Sequence, residues 1–467
     1  MTTEATARPV RALTVGAVAL ISLVAFEALA VATVMPAVAA DLDGLSVYAL
    51  AFGAPLASGV VGMALAGTWS DGAGARRPLV VGVALFATGL VLAGLAPHIA
   101  VFVLGRGVQG LGGGMVNVAL YALVGSVVPE PQRPKLFAWF SAAWVVPAMV
   151  GPAVSGLLLH TLGWRSVFLL VPALAVPATL VMWPVARRAG EAGAERAATA
   201  DPASARRVLL AAVAGTGAAV LQVTASRPQP GWRVVALAAL VVVVWCARRM
   251  LPAGLFRLVR GLPAVVAVRG LIGASFAGAE TYLPLLLVRE RRWDPAVAGL
   301  VLTLGAVAWS VGSWIQGRRP EPEARYRFSR VGVALLAAGV GVILGSALPG
   351  VPAWIAPLGW AVGGGGMGLV YSSTSLLALH LTPPERHGEA GSALTTGESL
   401  TMSVVLALGG GLFAALLPAR VVEGAPVGHA PFLAALSVAV LAEVLAVVAA
   451  RRMAPGPSPE GPPDQPR

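Results

Sequence analysis

Five charged residues interrupt apolar stretches of the chain: Glu27, Arg106, Arg269, Glu280 and Glu398. A charge at bilayer depth costs roughly 2.5 to 3.5 kcal/mol on insertion scales, so such groups face a protein-lined cavity or a partner and mark an ion or substrate path. Carboxylates can take up and release protons there, and an arginine at the same depth can hold the deprotonated form. Glu27 lies about 14 residues from the outer end of its apolar run and Arg106 about 8 from the outer start of its own, so the two can pair. Arg106, Gln109, Gly113, Asn117 and Tyr121 follow at spacings of three or four and form a polar stripe on one helix face.

A second stripe holds Arg269, Gly273, Phe276, Glu280 and Pro284. Arg269 and Glu280 are about 16 Å apart along a helix, so each needs its own partner. Glu280, with Phe276 and Tyr282 nearby, offers a carboxylate and aromatic faces, both of which favour a lipophilic cation. Glu398, about 7 residues into its apolar run, reads as a substrate or gate residue or as a carboxylate snorkelling to water. Glu443 reads as an interhelical or lipid-edge group. The five histidines fall near the ends of apolar runs and the single cysteine is Cys246, so no metal site, thiol chemistry or intrachain disulfide is expected.

The elements that must position these groups are membrane helices. With 57% hydrophobic residues, 12% charged residues and a mean hydropathy of +0.81, the chain has too little polar surface to wrap a soluble globule. Fourteen apolar runs, most of them long enough to cross a hydrocarbon core of about 30 Å, recur from end to end. The net charge of +12 is arginine spread over short loops without aromatic interleaving, which argues against nucleic acid. With both termini cytoplasmic, inner loops and tails hold twenty-four Lys and Arg and outer loops seven, the asymmetry of the positive-inside rule. Gly107 to Val118 (GVQGLGGGMVNV) is echoed by Gly359 to Val370 (GWAVGGGGMGLV), which predicts two six-helix halves. The expected division is residues 1–186 and 251–450 for the halves, 187–207 for a disordered cytoplasmic linker, 208–250 for an inserted helix pair dispensable for the transport cycle, and 451–467 for a disordered cytoplasmic tail.

These residues resemble the major facilitator superfamily, and within it the drug:proton antiporter group with fourteen helices. GTWSDGAGARRPL (Gly67 to Leu79) is similar to the superfamily loop signature through Gly67, Asp71, Gly74, Arg76 and Leu79, with Arg77 as a basic neighbour. GRGVQGLGGG (Gly105 to Gly114) matches the arginine-containing signature in Arg106, Gln109 and Gly110. PAMVGPAVSG (Pro147 to Gly156) resembles the antiporter signature through Gly151, Pro152 and Gly156, although Pro147 and Ser155 stand where glycines are usual. Phe26 to Leu42 also looks like that group, with Glu27 where many members have Asp.

The resemblance implies an all-α integral membrane protein of the major-facilitator fold. It implies a monomeric cell-membrane exporter of drug-like small molecules, not an enzyme, driven by a proton gradient without a cofactor. Glu27 and Arg106 would couple protons. Gln109, Asn117, Phe276, Glu280, Tyr282 and Glu398 would bind substrate. Gly67, Asp71, Gly74, Arg76, Arg77, Gly151, Pro152 and Gly156 would serve the conformational change. Two readings stay open beside it, an exporter of an endogenous metabolite, antibiotic or lipid, and a membrane-embedded lipid enzyme. The chain carries no GxxxxGK[ST] loop, so direct drive by ATP has no support.

Overall fold

The computed structural model describes residues 2–129, 132–194, 202–227, 229–319, 321–383, 386–418 and 425–454. Among these residues every long element is a helix and there is no strand. The order is α1 (Thr2–Asp41), α2 (Leu50–Ala73), α3 (Arg76–Gly94), α4 (Ile99–Val127), α5 (Arg133–Leu162), α6 (Arg165–Ala194), α7 (Pro202–Ala225), α8 (Pro230–Met250), α9 (Leu262–Arg289), α10 (Pro295–Gly317), α11 (Pro322–Ser346), α12 (Ile355–His380), α13 (His387–Ala415) and α14 (His429–Ala450). Thirteen are long and apolar enough to cross a bilayer. The fourteenth, α12, is 26 residues long, and its Gly363 to Gly366 run and its serines and threonine lower its hydropathy.

Packing repeats between the halves. In the first, α1 packs on α5 and α6, α4 on α2 and α3, and α3 on α6; in the second, α9 packs on α13 and α14, α12 on α10 and α11, and α11 on α14. The glycine runs have a physical reason in these contacts. A side chain at Gly112 would strike the backbone of α3 at Phe86, and one at Gly364 would strike α10 at Gly305. Small residues let helix backbones approach closely where no hydrophobic drive between helices is available.

The inserted pair is not peripheral. α7 packs on both α2 and α13, one helix from each half, while α8 lies mainly on α7. Gln222 of α7 donates to Ser403 of α13 at 3.1 Å. The two-half repeat alone does not account for this packing of α7. Of the predicted linker, α6 runs on to Ala194 and α7 begins at Pro202; residues 195–201 and the tail from 455 lie outside the described residues.

The two halves meet at the end of the bundle opposite both termini, called here the far end. α5 meets α10 where Gly156 faces Ala296, and His160 lies 3.2 Å from Asp294. On the other side α2 meets α13, Gly410 facing Ala49, and Tyr48 packs on Tyr282 with ring centroids 6.1 Å apart. Nearer the termini the first half has a hydrophobic cluster of its own, drawn from α1, α3, α4, α5 and α6.

Candidate functional site

In the first half Glu27 projects from α1 toward Arg106 and Gln109 of α4, and all three are at least 96% buried. The guanidinium of Arg106 is bound to the Glu27 carboxylate. Its Nη1 also donates to Gln109 Oε1 at 2.6 Å, and its Nε to the Ala51 carbonyl, in the first turn of α2, at 3.0 Å. Gln109 Nε2 closes the ring by donating to the second Glu27 oxygen at 2.6 Å. Both carboxylate oxygens thus accept a charge-assisted bond, one from the guanidinium and one from the amide. The i, i+3 spacing places Arg106 and Gln109 side by side. A buried pair of this kind offsets its desolvation only while its remaining hydrogen bonds are met, and loss of one partner costs about 3–5 kcal/mol.

The second half holds a pair that sequence reasoning missed. Arg269 of α9 donates Nε to Glu398 of α13 at 2.9 Å. Its Nη1 donates to Ser375 Oγ at 2.8 Å and to the Tyr371 carbonyl at 3.0 Å, both on α12. The guanidinium lies 3.3 Å from the centroid of the Tyr371 ring, whose hydroxyl donates to Glu398 at 3.4 Å. Gly273, one turn beyond Arg269, leaves the space that the carboxylate occupies. Glu398 is therefore neither snorkelling nor isolated; it is the partner that Arg269 required.

Glu280, three turns further along α9, is half-buried and has no hydrogen-bond or ion-pair partner among the described residues. One turn before it, Phe276 stacks on Trp360 with ring centroids 4.4 Å apart and meets Trp309 edge-on at 5.3 Å. Trp309 in turn meets Tyr371 at 5.2 Å. An aromatic chain thus runs from the neighbourhood of Glu280 to the Arg269–Glu398 pair. Trp309, Trp360 and Tyr371 went unremarked in the sequence, although each lies on a helix facing α9.

Not all the predicted site residues come together. Tyr282 is buried at the far-end contact between Tyr48 and Phe413, not beside Glu280. Asn117, with Tyr121, Phe140 and Trp144, lines a separate cavity of about 110 Å³ between α1, α4 and α5. Of the loop signature, Gly74 caps α2 with φ +76°, Arg76 lies over the Trp183 ring at 4.9 Å, Arg77 is exposed and Gly67 has open space around it. Asp71 belongs to α2, and its side chain lies outside the described residues. In α5, Gly151 faces the Phe26 ring and Pro152 is accommodated within the helix.

Comparison with known proteins agrees with this fold. A family model described as Major Facilitator Superfamily matches residues 16–406. The chain is 28% identical over 381 residues to the multidrug resistance protein Stp of Mycobacterium tuberculosis, covering 78% of this chain and 69% of that one. It is 30% identical over 292 residues to a probable multidrug-efflux transporter of the same organism, covering 60% of each. Among solved structures, that of a D-xylose-proton symporter superposes with a TM-score of 0.65 over 96% of this chain and 98% of that one, at 14% identity, which speaks to the fold alone. The chain belongs to the Major Facilitator Superfamily: it is a multi-pass membrane transporter of small molecules, not an enzyme, and draws on an ion gradient in place of a cofactor.

Proposed function

We propose that this transporter is a proton-coupled exporter of lipophilic, cationic small molecules, and that Glu27 is its proton carrier. The observation that carries the reading is the closed ring of Glu27, Arg106 and Gln109. Protonation of Glu27 removes the charge that Arg106 pairs with and frees two donors, so the proton and the pair exclude one another. The named multidrug relatives support efflux of drug-like compounds. Glu280 has no partner among the described residues and lies one turn from Phe276, which meets the Trp360 and Trp309 rings; this supports a cationic substrate with aromatic or apolar bulk.

In the proposed cycle residues 1–186 and 251–450 rock against each other, with both termini in the cytoplasm of a cell-membrane monomer. The far end, closed by α2 with α13 and α5 with α10, would then face outside. Opening it would hydrate Glu27 and let a proton enter. Closing it again would return Glu27 to Arg106 and release the proton inward; a cation at Glu280 would bind this deprotonated, paired state in preference, so that its arrival expels the proton and loads the next outward swing. Asp71, Arg76 and Arg77 would act at the cytoplasmic end, where an ion pair can form and break as the halves move.

The test is uphill transport of a lipophilic cation in proteoliposomes under an imposed pH gradient. Wild type should concentrate the cation against its gradient. Glu27→Gln, which fixes the neutral form, should equilibrate it without concentrating it. Undiminished uphill transport by the variant would move the coupling role elsewhere.

A further inference from the structure

A cavity of about 910 Å³ opens at the far end, away from both ion pairs. None of its lining residues belongs to either charged site. Its floor is α13, through Leu408, Gly411 and Leu412; one wall is α14, through Val438 and Leu441; the other is the α7–α8 pair. α8 and α14 both approach α13 but share no packed interface, so a groove remains between them. Leu408, Leu412 and Leu441 are 40%, 46% and 59% exposed, as side chains that face acyl chains would be.

Depth and charge specify what fits. Leu441 lies twelve residues into α14, so the groove descends about 18 Å from the far end, close to the thickness of one leaflet of a 30 Å hydrocarbon core. At its mouth stand Arg227 just past α7, Arg233 in the first turn of α8, and Arg289 at the end of α9. The side chains of Arg227 and Arg233 are exposed and have no ion-pair partner among the described residues, and Asp43 is the single acid in the lining. The N-terminus of α8 adds its partial positive charge at the same level. Ser46, Thr224 and Ser226 supply further polar groups there. An apolar slot one leaflet deep beneath a cationic mouth matches an amphiphile with an anionic head. It repels the cations proposed as substrates, so it is not their portal.

We propose that this groove binds an anionic phospholipid of the leaflet at the far end, its phosphate held by Arg227 and Arg233 and an acyl chain lying along α13 between α8 and α14. Such a lipid fills the gap that α8 and α14 leave and ties the inserted pair to the second half. With the termini cytoplasmic this is the outer leaflet, but the site itself does not depend on the orientation or on the transport mechanism.

The full chain, purified in detergent with equimolar phosphatidylglycerol and phosphatidylcholine, is examined by native mass spectrometry. Wild type should retain phosphatidylglycerol in preference, by roughly five-fold for each arginine engaged. Arg227→Ala with Arg233→Ala should abolish the preference while leaving some lipid bound. Leu412→Trp, which fills the groove without touching a charge, should lower retention of both lipids. Excess inorganic phosphate should not displace the bound lipid. Equal retention of the two lipids by wild type, an unchanged preference in the double variant, or displacement by phosphate alone would overturn the proposal. Each variant must remain monodisperse with near wild-type melting, and the readout needs no transport, so it stands apart from the test of Glu27.

Discussion

At Gly156 α5 packs closely on Ala296 of α10 at the far end, and filling it should prise that end open. A Cβ at Gly156 would lie 2.8 Å from the Ala296 Cβ and 3.2 Å from its Cα, a separation that ordinary side chains do not tolerate. Gly156→Leu adds four carbons where there is no room for one. Overpacking of this kind costs about 1–3 kcal/mol. If the penalty falls on the closed arrangement alone, the balance moves toward the far-end-open state by roughly 5-fold to 150-fold. Spin labels at Leu95→Cys and Leu348→Cys, exposed positions just beyond α3 and α11 in opposite halves, report the separation by pulsed electron resonance. Cys246, the only cysteine, is first replaced by Ser. Gly156→Leu should populate longer distances and Gly156→Ala a smaller fraction of them, with melting lowered no further than the overpacking accounts for. Distance distributions identical to wild type in both variants would refute the idea that this contact sets the closed state.

The second ion pair should show strong non-additivity. Arg269→Met strands Glu398 in a site where its side chain is 13% exposed and should cost about 3–5 kcal/mol, whereas Arg269→Met with Glu398→Leu should recover much of that loss in thermal melting. Additive losses would mean that the two residues do not act as a unit. Asp294 caps α10 by accepting from the N–H of Ala296 at 2.8 Å, so Asp294→Ala should cost about 0.5–2 kcal/mol. Slight burial works to raise the Asp294 carboxyl, but the Ala296 N–H, His160 and the Val297 N–H outweigh it and hold the group below its ordinary value. The cap's contribution is therefore present above the usual carboxylate range and fades as pH falls through that lowered value. The melting difference between wild type and variant should shrink in acid, and a difference that grows would contradict this sign.

Fourteen helices were legible in the sequence because each apolar run is bounded by arginines, prolines or glycines, and the repeat of the glycine runs exposed the two halves. Glu27 and Arg106 can be matched from the sequence because each lies at a compatible depth from the outer end of its helix. Arg269 and Glu398 carried the same signal, each about seven residues into its run as drawn from the sequence, but 129 residues separate them and nothing local links α9 to α13. The fate of Tyr282 was harder to see. Two residues beyond Glu280 on a helix means a turn of about 200°, which carries Tyr282 to the opposite face and into the contact with Tyr48 and Phe413. The position of α7 between α2 and α13 left no trace in periodicity, since an inserted helix is apolar whether it faces lipid or protein.

The central claim is that one proton and the Arg106 pairing compete for Glu27. The most direct measurement is proton release on adding saturating tetraphenylphosphonium, a lipophilic cation, to detergent-solubilised protein in weak buffer. Wild type should release protons, Glu398→Gln should still release them, and Glu27→Gln should release none although it retains the cation. Release of equal size from wild type and Glu27→Gln would contradict the account.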